Sequence, residues 1–199
     1  FVIPFGDCPL DEHKVGRAVY MDILNRATDY VHIMTPYLIL DDELKTALAY
    51  AAQRGVDVKL ILPGIPDKKP AFALAKSHYH ALVSAGVKIY EYTPGFVHAK
   101  VFVCDDCEAT VGTVNLDYRS LSRHFECGTY LLGVPAVANT PTTPVCVDWA
   151  AGFIAGSMPM NFTGNSSRRV PMAAAVAVLH ATTISSQPLS NRNLVISRA

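Results

Sequence analysis

The chain has 199 residues, and its 17 Lys+Arg balance 17 Asp+Glu, so the formal net charge is zero with His neutral. Half of the residues are hydrophobic and 9% are aromatic, which supplies a core and argues against global disorder. The charge balance disfavours a chain that coats nucleic acid through a general basic excess, and no apolar run approaches the ~20 residues of a membrane-spanning helix. The five cysteines, at 8, 104, 107, 127 and 146, are odd in number and scattered, unlike a secreted disulfide framework. No charged-then-apolar leader opens the sequence, and it begins at Phe1 rather than Met, as a piece of a longer chain would.

Helical and strand patterns alternate over residues 1–133. From Leu10 to Thr28, apolar Val15, Val19, Tyr20, Ile23 and Leu24 recur at the spacing of a one-sided helix. Tyr30 to Met34 is β-branched and is stopped by Thr35-Pro36, a strand signal. Asp41 or Asp42 can cap a helix over Glu43 to Arg54 that ends at Gly55. A strand is expected over Val56 to Leu62, closed by Pro63-Gly64, and a third helix over Pro70 to Ser84 with Gly86 as its stop. Val87 to Tyr90, Val97 to Val103, Ala109 to Thr113 and Phe125 to Leu132 read as further strands, with an acidic turn at Asp105-Asp106. The pattern predicts an α/β domain, a mixed β-sheet flanked by helices.

Composition breaks near Gly133. Residues 134–199 carry only Asp148, Arg168, Arg169, Arg192 and Arg198 as charges, with no Lys and no Glu. Sustained apolar periodicity is missing there. Two readings fit: a poorly structured appendage, or a tail foreign to the domain, such as the product of a reading-frame shift or truncation.

Most of the chemistry lies between His98 and Glu126. His98 and Lys100 are two apart, so on an extended segment they project to one face, and Thr113 and Asn115 share that spacing. If the two segments are neighbours, an imidazole, a cation, a hydroxyl and an amide line one pocket. Phosphodiester chemistry uses such a set: a group titrating near neutrality, with donors to hold phosphate oxygens as charge develops. Glu126, on the last strand, could accept the other imidazole N–H and fix its tautomer.

His98-x-Lys100-x4-Asp105-x6-Gly112-Thr113-x-Asn115 matches without a gap the HKD motif of the phospholipase D superfamily. With Met34 to Ile39, Leu62 to Lys69, Leu116 to Ser120 and Phe125-Glu126, residues 7 to 133 resemble the C-terminal catalytic half of bacterial cardiolipin synthases. The resemblance implies a phospholipase D-like fold and phosphatidyl transfer. One histidine would form a phosphatidyl-histidine, another would protonate the leaving alcohol, and two phosphatidylglycerols would yield cardiolipin and glycerol. It assigns His98, Lys100, Asp105 and Glu126 to catalysis, with Asp105 supporting rather than reacting, and Lys100, Thr113 and Asn115 to the phosphate. No metal or cofactor is implied. The implied partners are phosphatidylglycerol and other phospholipids, a membrane surface, and a second motif-bearing half or homodimer partner, because the family pairs two motifs and this chain has one. Nucleic acid is not expected. The full-length family is placed at the bacterial cytoplasmic membrane, and this chain shows no transmembrane segment of its own.

Other residues weigh less. Cys104-x-x-Cys107 lacks a second ligand pair at zinc-site spacing. His32, His78 and His80 fit strand or helix surfaces, Lys68, Lys69 and Lys76 either a headgroup patch or a solvated cluster, and Tyr37, Tyr90 and Tyr92 either a pocket wall or packing. Two rival functions also fit the sequence: a dimeric single-motif phosphodiesterase or nuclease, and an inactive fragment with an incomplete site.

Overall fold

The computed structural model describes residues 1–93, 95–138 and 196–198. In chain order its elements are β1 (Val2–Asp7), α1 (Val15–Arg26), β2 (Tyr30–Met34), β3 (Leu38–Ile39), α2 (Asp42–Gln53), β4 (Asp57–Pro63) and α3 (Lys69–Ser84). They continue with β5 (Lys88–Tyr92), β6 (Val101–Cys104), β7 (Glu108–Gly112), β8 (Leu116–Asp117), α4 (Tyr118–Ser122), β9 (Glu126–Leu132), α5 (Pro135–Ala138) and β10 (Ile196–Arg198). The expectations for residues 139–195 and Ala199 lie outside the described residues.

Local sequence explains the helix boundaries. Asp41 is the N-cap of α2, its carboxylate accepting from Leu44 N at 2.9 Å. Gly55 and Gly86, at φ +96° and +101°, sit just past α2 and α3, where a left-handed residue ends a helix without a Cβ penalty. The start of α1 is capped from further away: Asp7, at the end of β1, accepts from the N–H groups of Val15 and Gly16, each at 2.7 Å. That bond joins the first strand to the first helix and buries Asp7 with both oxygens paired.

Among the described residues the main sheet runs β1-β9-β7-β6-β2-β4-β5-β10. Its centre is parallel, β2 with β4 and β4 with β5, and its other pairings are antiparallel. Period-two alternation divides two cores. Val31, Ile33, Val58, Leu60, Leu62 and Phe102 pack with α1, α2 and α3, where Tyr20 stacks on Phe102 at 4.0 Å. Met34, Ile61, Val101 and Val103 form the second core on the opposite face, with Val137 of α5. The mixed sheet flanked by helices is the predicted fold.

Two differences from the sequence reading bear on the site. β1 was not expected, because Pro4 and Gly6 interrupt the run; as an edge strand it tolerates a proline that cannot donate on both sides. β6 starts at Val101 rather than Val97, so His98 and Lys100 lie on an irregular segment leading into the strand.

The acidic turn is where the sequence places it. Asp105 and Asp106 have φ of 49° and 54°, and Cys107 N donates to Cys104 O at 3.0 Å, the twist that suits a tight hairpin. The Asp105 carboxylate accepts from the N–H groups of Thr28 (2.7 Å), Asp29 (3.0 Å) and Tyr30 (2.7 Å), and from Thr28 Oγ1. Burial pushes this carboxyl up, but those donors outweigh it and hold it below the usual carboxylate range. Its stabilisation is therefore present above the ordinary Asp pKa and is lost as pH falls through the lower folded value. Asp105→Ala is expected to cost about 1–3 kcal/mol by urea unfolding near neutral pH, with the deficit narrowing as pH falls below about 4.

Candidate active site

One end of the sheet collects the reactive residues because β2 and β6 run in opposite directions, as do β7 and β9. The last residues of β2 and β7 therefore lie beside the approach to β6 and the start of β9. Thr35, after β2, accepts from Leu116 N at 3.2 Å and donates to Tyr37 O at 3.0 Å, tying this end to β8.

Lys100 is 8% exposed and donates to His98 Nδ1 and to the His98 carbonyl, both at 2.6 Å. Burial draws its ammonium down from the ordinary 10.5 to about 8, while Glu126, Asp117 and Asp67 pull it back up. The His98 ring is half-buried between Phe96, stacked at 5.8 Å, and Tyr37, edge-on at 6.4 Å. Two aromatic rings and a cation thus bear on its orientation.

Thr113 follows β7 and donates through Oγ1 to Glu126 Oε2, while Cys127 N donates to the same oxygen of Thr113 at 3.0 Å. The strands approach closely here. A Cβ on Gly112 would meet Gly128 Cα at 2.6 Å and would also press on the Cys127 carbonyl, so a side chain would push Thr113 and Glu126 apart. Asn115 donates to Ser120 Oγ at 2.9 Å, and Ser120 N donates to Asp117, the N-cap of α4, at 2.8 Å. Asn115 Oδ1 is buried with no hydrogen-bond partner among the described residues. Turning the amide over would give that oxygen the Ser120 hydroxyl and free the NH2 as a donor.

The sequence-derived set is thus placed in two locations. His98, Lys100, Thr113, Asn115 and Glu126 share one end of the sheet, with Lys100 at Nδ1 of His98. Glu126 accepts from Thr113 and lies 3.4 Å from His124 Nδ1. Asp105 is at the far end of β6, beyond Cys104, where it holds residues 28–30. Asp67, Asp117, Ser120 and Phe96 were not assigned roles from sequence. For Asp117-x-x-Ser120 the capping spacing was a usable signal, whereas the others reach the site through long-range folding alone.

Residues 20–139 match the family model of the cardiolipin synthase, phospholipase D-like domain. The chain belongs to that family. Over 131 residues this phospholipase D-like domain is 70% identical to an uncharacterised protein of Streptococcus mutans, covering 66% of this chain and 28% of that one. It is 40% identical over 129 residues to cardiolipin synthase 2 of Bacillus anthracis, covering 65% of this chain and 25% of the relative. The match therefore spans about a quarter of these relatives' length. The solved structure of Nuc, a phospholipase D family member from Salmonella typhimurium, superposes with a TM-score of 0.58 at 18% identity, covering 69% of this chain and 86% of that one. No helix among the described residues is long and apolar enough to cross a membrane.

Proposed function

We propose that residues 1–133 form one catalytic half of a cardiolipin synthase, transferring a phosphatidyl group between alcohols through a phosphohistidine. The observation that carries this reading is the buried Lys100 ammonium bonded to the His98 ring, with Thr113 and Asn115 on the adjoining segment. Family membership supplies the reaction class.

In this reading the contact also bears on the proton of the ring. An ammonium has no lone pair, so His98 Nδ1 must accept, and the neutral ring keeps its hydrogen on Nε2. Once Lys100 moves off Nδ1 that nitrogen can take the ring's second proton, and the resulting imidazolium can protonate a leaving alkoxide. When Lys100 turns to a phosphate oxygen, Nδ1 is released, and the ring can take the tautomer whose Nε2 attacks phosphorus.

In the first step, a histidine nitrogen bonds to phosphorus, the phosphorus–oxygen bond to the glycerol head group breaks, and the facing imidazole protonates the alkoxide. In the second, the hydroxyl of another phosphatidylglycerol attacks phosphorus, the phosphorus–nitrogen bond breaks, and the hydroxyl proton returns to the facing imidazole. The products are cardiolipin and glycerol. Lys100, Thr113 and Asn115 serve the phosphate oxygens, and Glu126 supports Thr113 and Lys100. The facing imidazole comes from a second copy or from another half, and the lipid is met at a membrane surface.

The test is to incubate the chain with phosphatidylglycerol vesicles, search by mass spectrometry for a phosphatidyl adduct on His98, and size the same sample. An adduct in a dimeric sample is the expected result. A monomer without adduct overturns the self-completed site.

A further inference from the structure

Next to His98 the fold builds a small polar feature that phosphate chemistry leaves unused. Tyr37, whose ring lies perpendicular to that of His98, donates its hydroxyl to Asp67 Oδ2 at 2.5 Å. Asp67 lies in the exposed loop between β4 and α3, and its bond to Tyr37 ties that loop to the residue beside His98. Among the described residues only Tyr37 donates a hydrogen bond to this carboxylate. Lys68 Nζ stands 5.7 Å from the Tyr37 ring centroid. Tyr37, Asp67 and Lys68 also line a pit of about 10 Å³ whose other walls are largely apolar, with Leu62, Phe72 and Ala75 among them. That is room for one water or one hydroxyl.

A carboxylate at the rim of a phosphate site repels the phosphate itself. It attracts a neutral group that can donate a hydrogen bond, and a neighbouring ammonium gives that group something to accept from. A hydroxyl does both; an alkyl chain does neither. Burial, then the bond to Asp67, pushes the Tyr37 phenol up to about 12, so it remains a donor and fixes the carboxylate across the neutral range.

We infer that Tyr37, Asp67 and Lys68 form a hydroxyl-binding subsite beside His98 that selects phosphate esters carrying a polyol, such as the glycerol head group. This rests on the phosphatidyl-transfer reading and assigns the residues that choose its alcohol. Asp67 makes the discriminating contact, and Tyr37 is the positioning residue that holds it.

The test compares glycerol 3-phosphate with propyl phosphate, which has the same carbon chain without the hydroxyls, by titration calorimetry on the whole chain. Glycerol 3-phosphate should bind about tenfold more tightly, the scale of a hydrogen bond to a charged group. Asp67→Asn should bring the two within about twofold, and Tyr37→Phe should narrow the ratio less. Equal binding of both esters, or an equal loss of both in Asp67→Asn, overturns the subsite and leaves the phosphate reading standing. Failure of both esters to bind the unsubstituted chain overturns the phosphate reading and the subsite with it. The same comparison on vesicles of phosphatidylglycerol and phosphatidylpropanol separates a lipid source from a soluble one. A preference on vesicles as well as on soluble esters assigns the subsite to lipid head groups, and a preference on soluble esters alone assigns it to free polyol phosphates.

Discussion

His98→Ala is expected to abolish phosphatidyl transfer, by at least about a thousandfold, while leaving the fold in place. The rate follows from the role: the imidazole either forms the bond to phosphorus or delivers the proton to the leaving group, and water replaces neither well. The fold is spared because His98 lies outside the sheet ladder and belongs to neither apolar core. Its ring contributes contacts with Phe96 and Tyr37, and Lys100 retains the residue-98 carbonyl as an acceptor. An unfolding midpoint within a few degrees of the parent, measured with turnover on phosphatidylglycerol vesicles, separates the two effects. Parent-level turnover in this variant would overturn the assignment of His98.

The same division between local and long-range order governs what the sequence could reveal. Helix ends were legible because Asp41, Gly55 and Gly86 act within a few residues of themselves. The alternation in β2 and β4 was legible because each strand is sandwiched between two cores and must change face at every residue. β1 was not, since its place depends on pairing with β9, more than a hundred residues away. The run from Val97 to Val103 has strand composition throughout, yet laddering with β2 begins only at Val101, opposite Met34. This leaves the segment before it free to turn Lys100 back onto its own neighbour. Reactive groups were visible as a motif, whereas their surroundings were not. No spacing predicts that Tyr37 meets Asp67, or that the charges of Asp67 and Asp117 converge on Lys100. Asp105 shows the converse: its place in a motif suggests the site, and its four donors put it to work at the other end of β6.

Lys100 supplies a test in which activity and stability move in opposite directions with pH. Its ammonium is the form that holds phosphate, and burial brings its pKa to about 8, so kcat/KM should fall about tenfold per unit as pH rises beyond 8. Stability follows the other sign. Below the folded value both folded and unfolded chains carry the proton, and the folded state bears the full cost of a buried charge. Between about 8 and the ordinary 10.5 the unfolded chain binds more proton than the folded one, so stability rises with pH there. Lys100→Met should lose at least about a hundredfold in turnover at pH 7 and should lack this rise in stability. Lys100→Arg keeps the charge throughout and should remove the alkaline fall in kcat/KM, at a reduced rate because a planar fork replaces a point charge. Parallel pH series of turnover and urea unfolding on the three proteins decide the matter. A fall in activity accompanied by a fall in stability would mean that alkaline unfolding, not loss of the Lys100 proton, ends turnover. A fall that persists unchanged in Lys100→Arg would place the titrating group elsewhere.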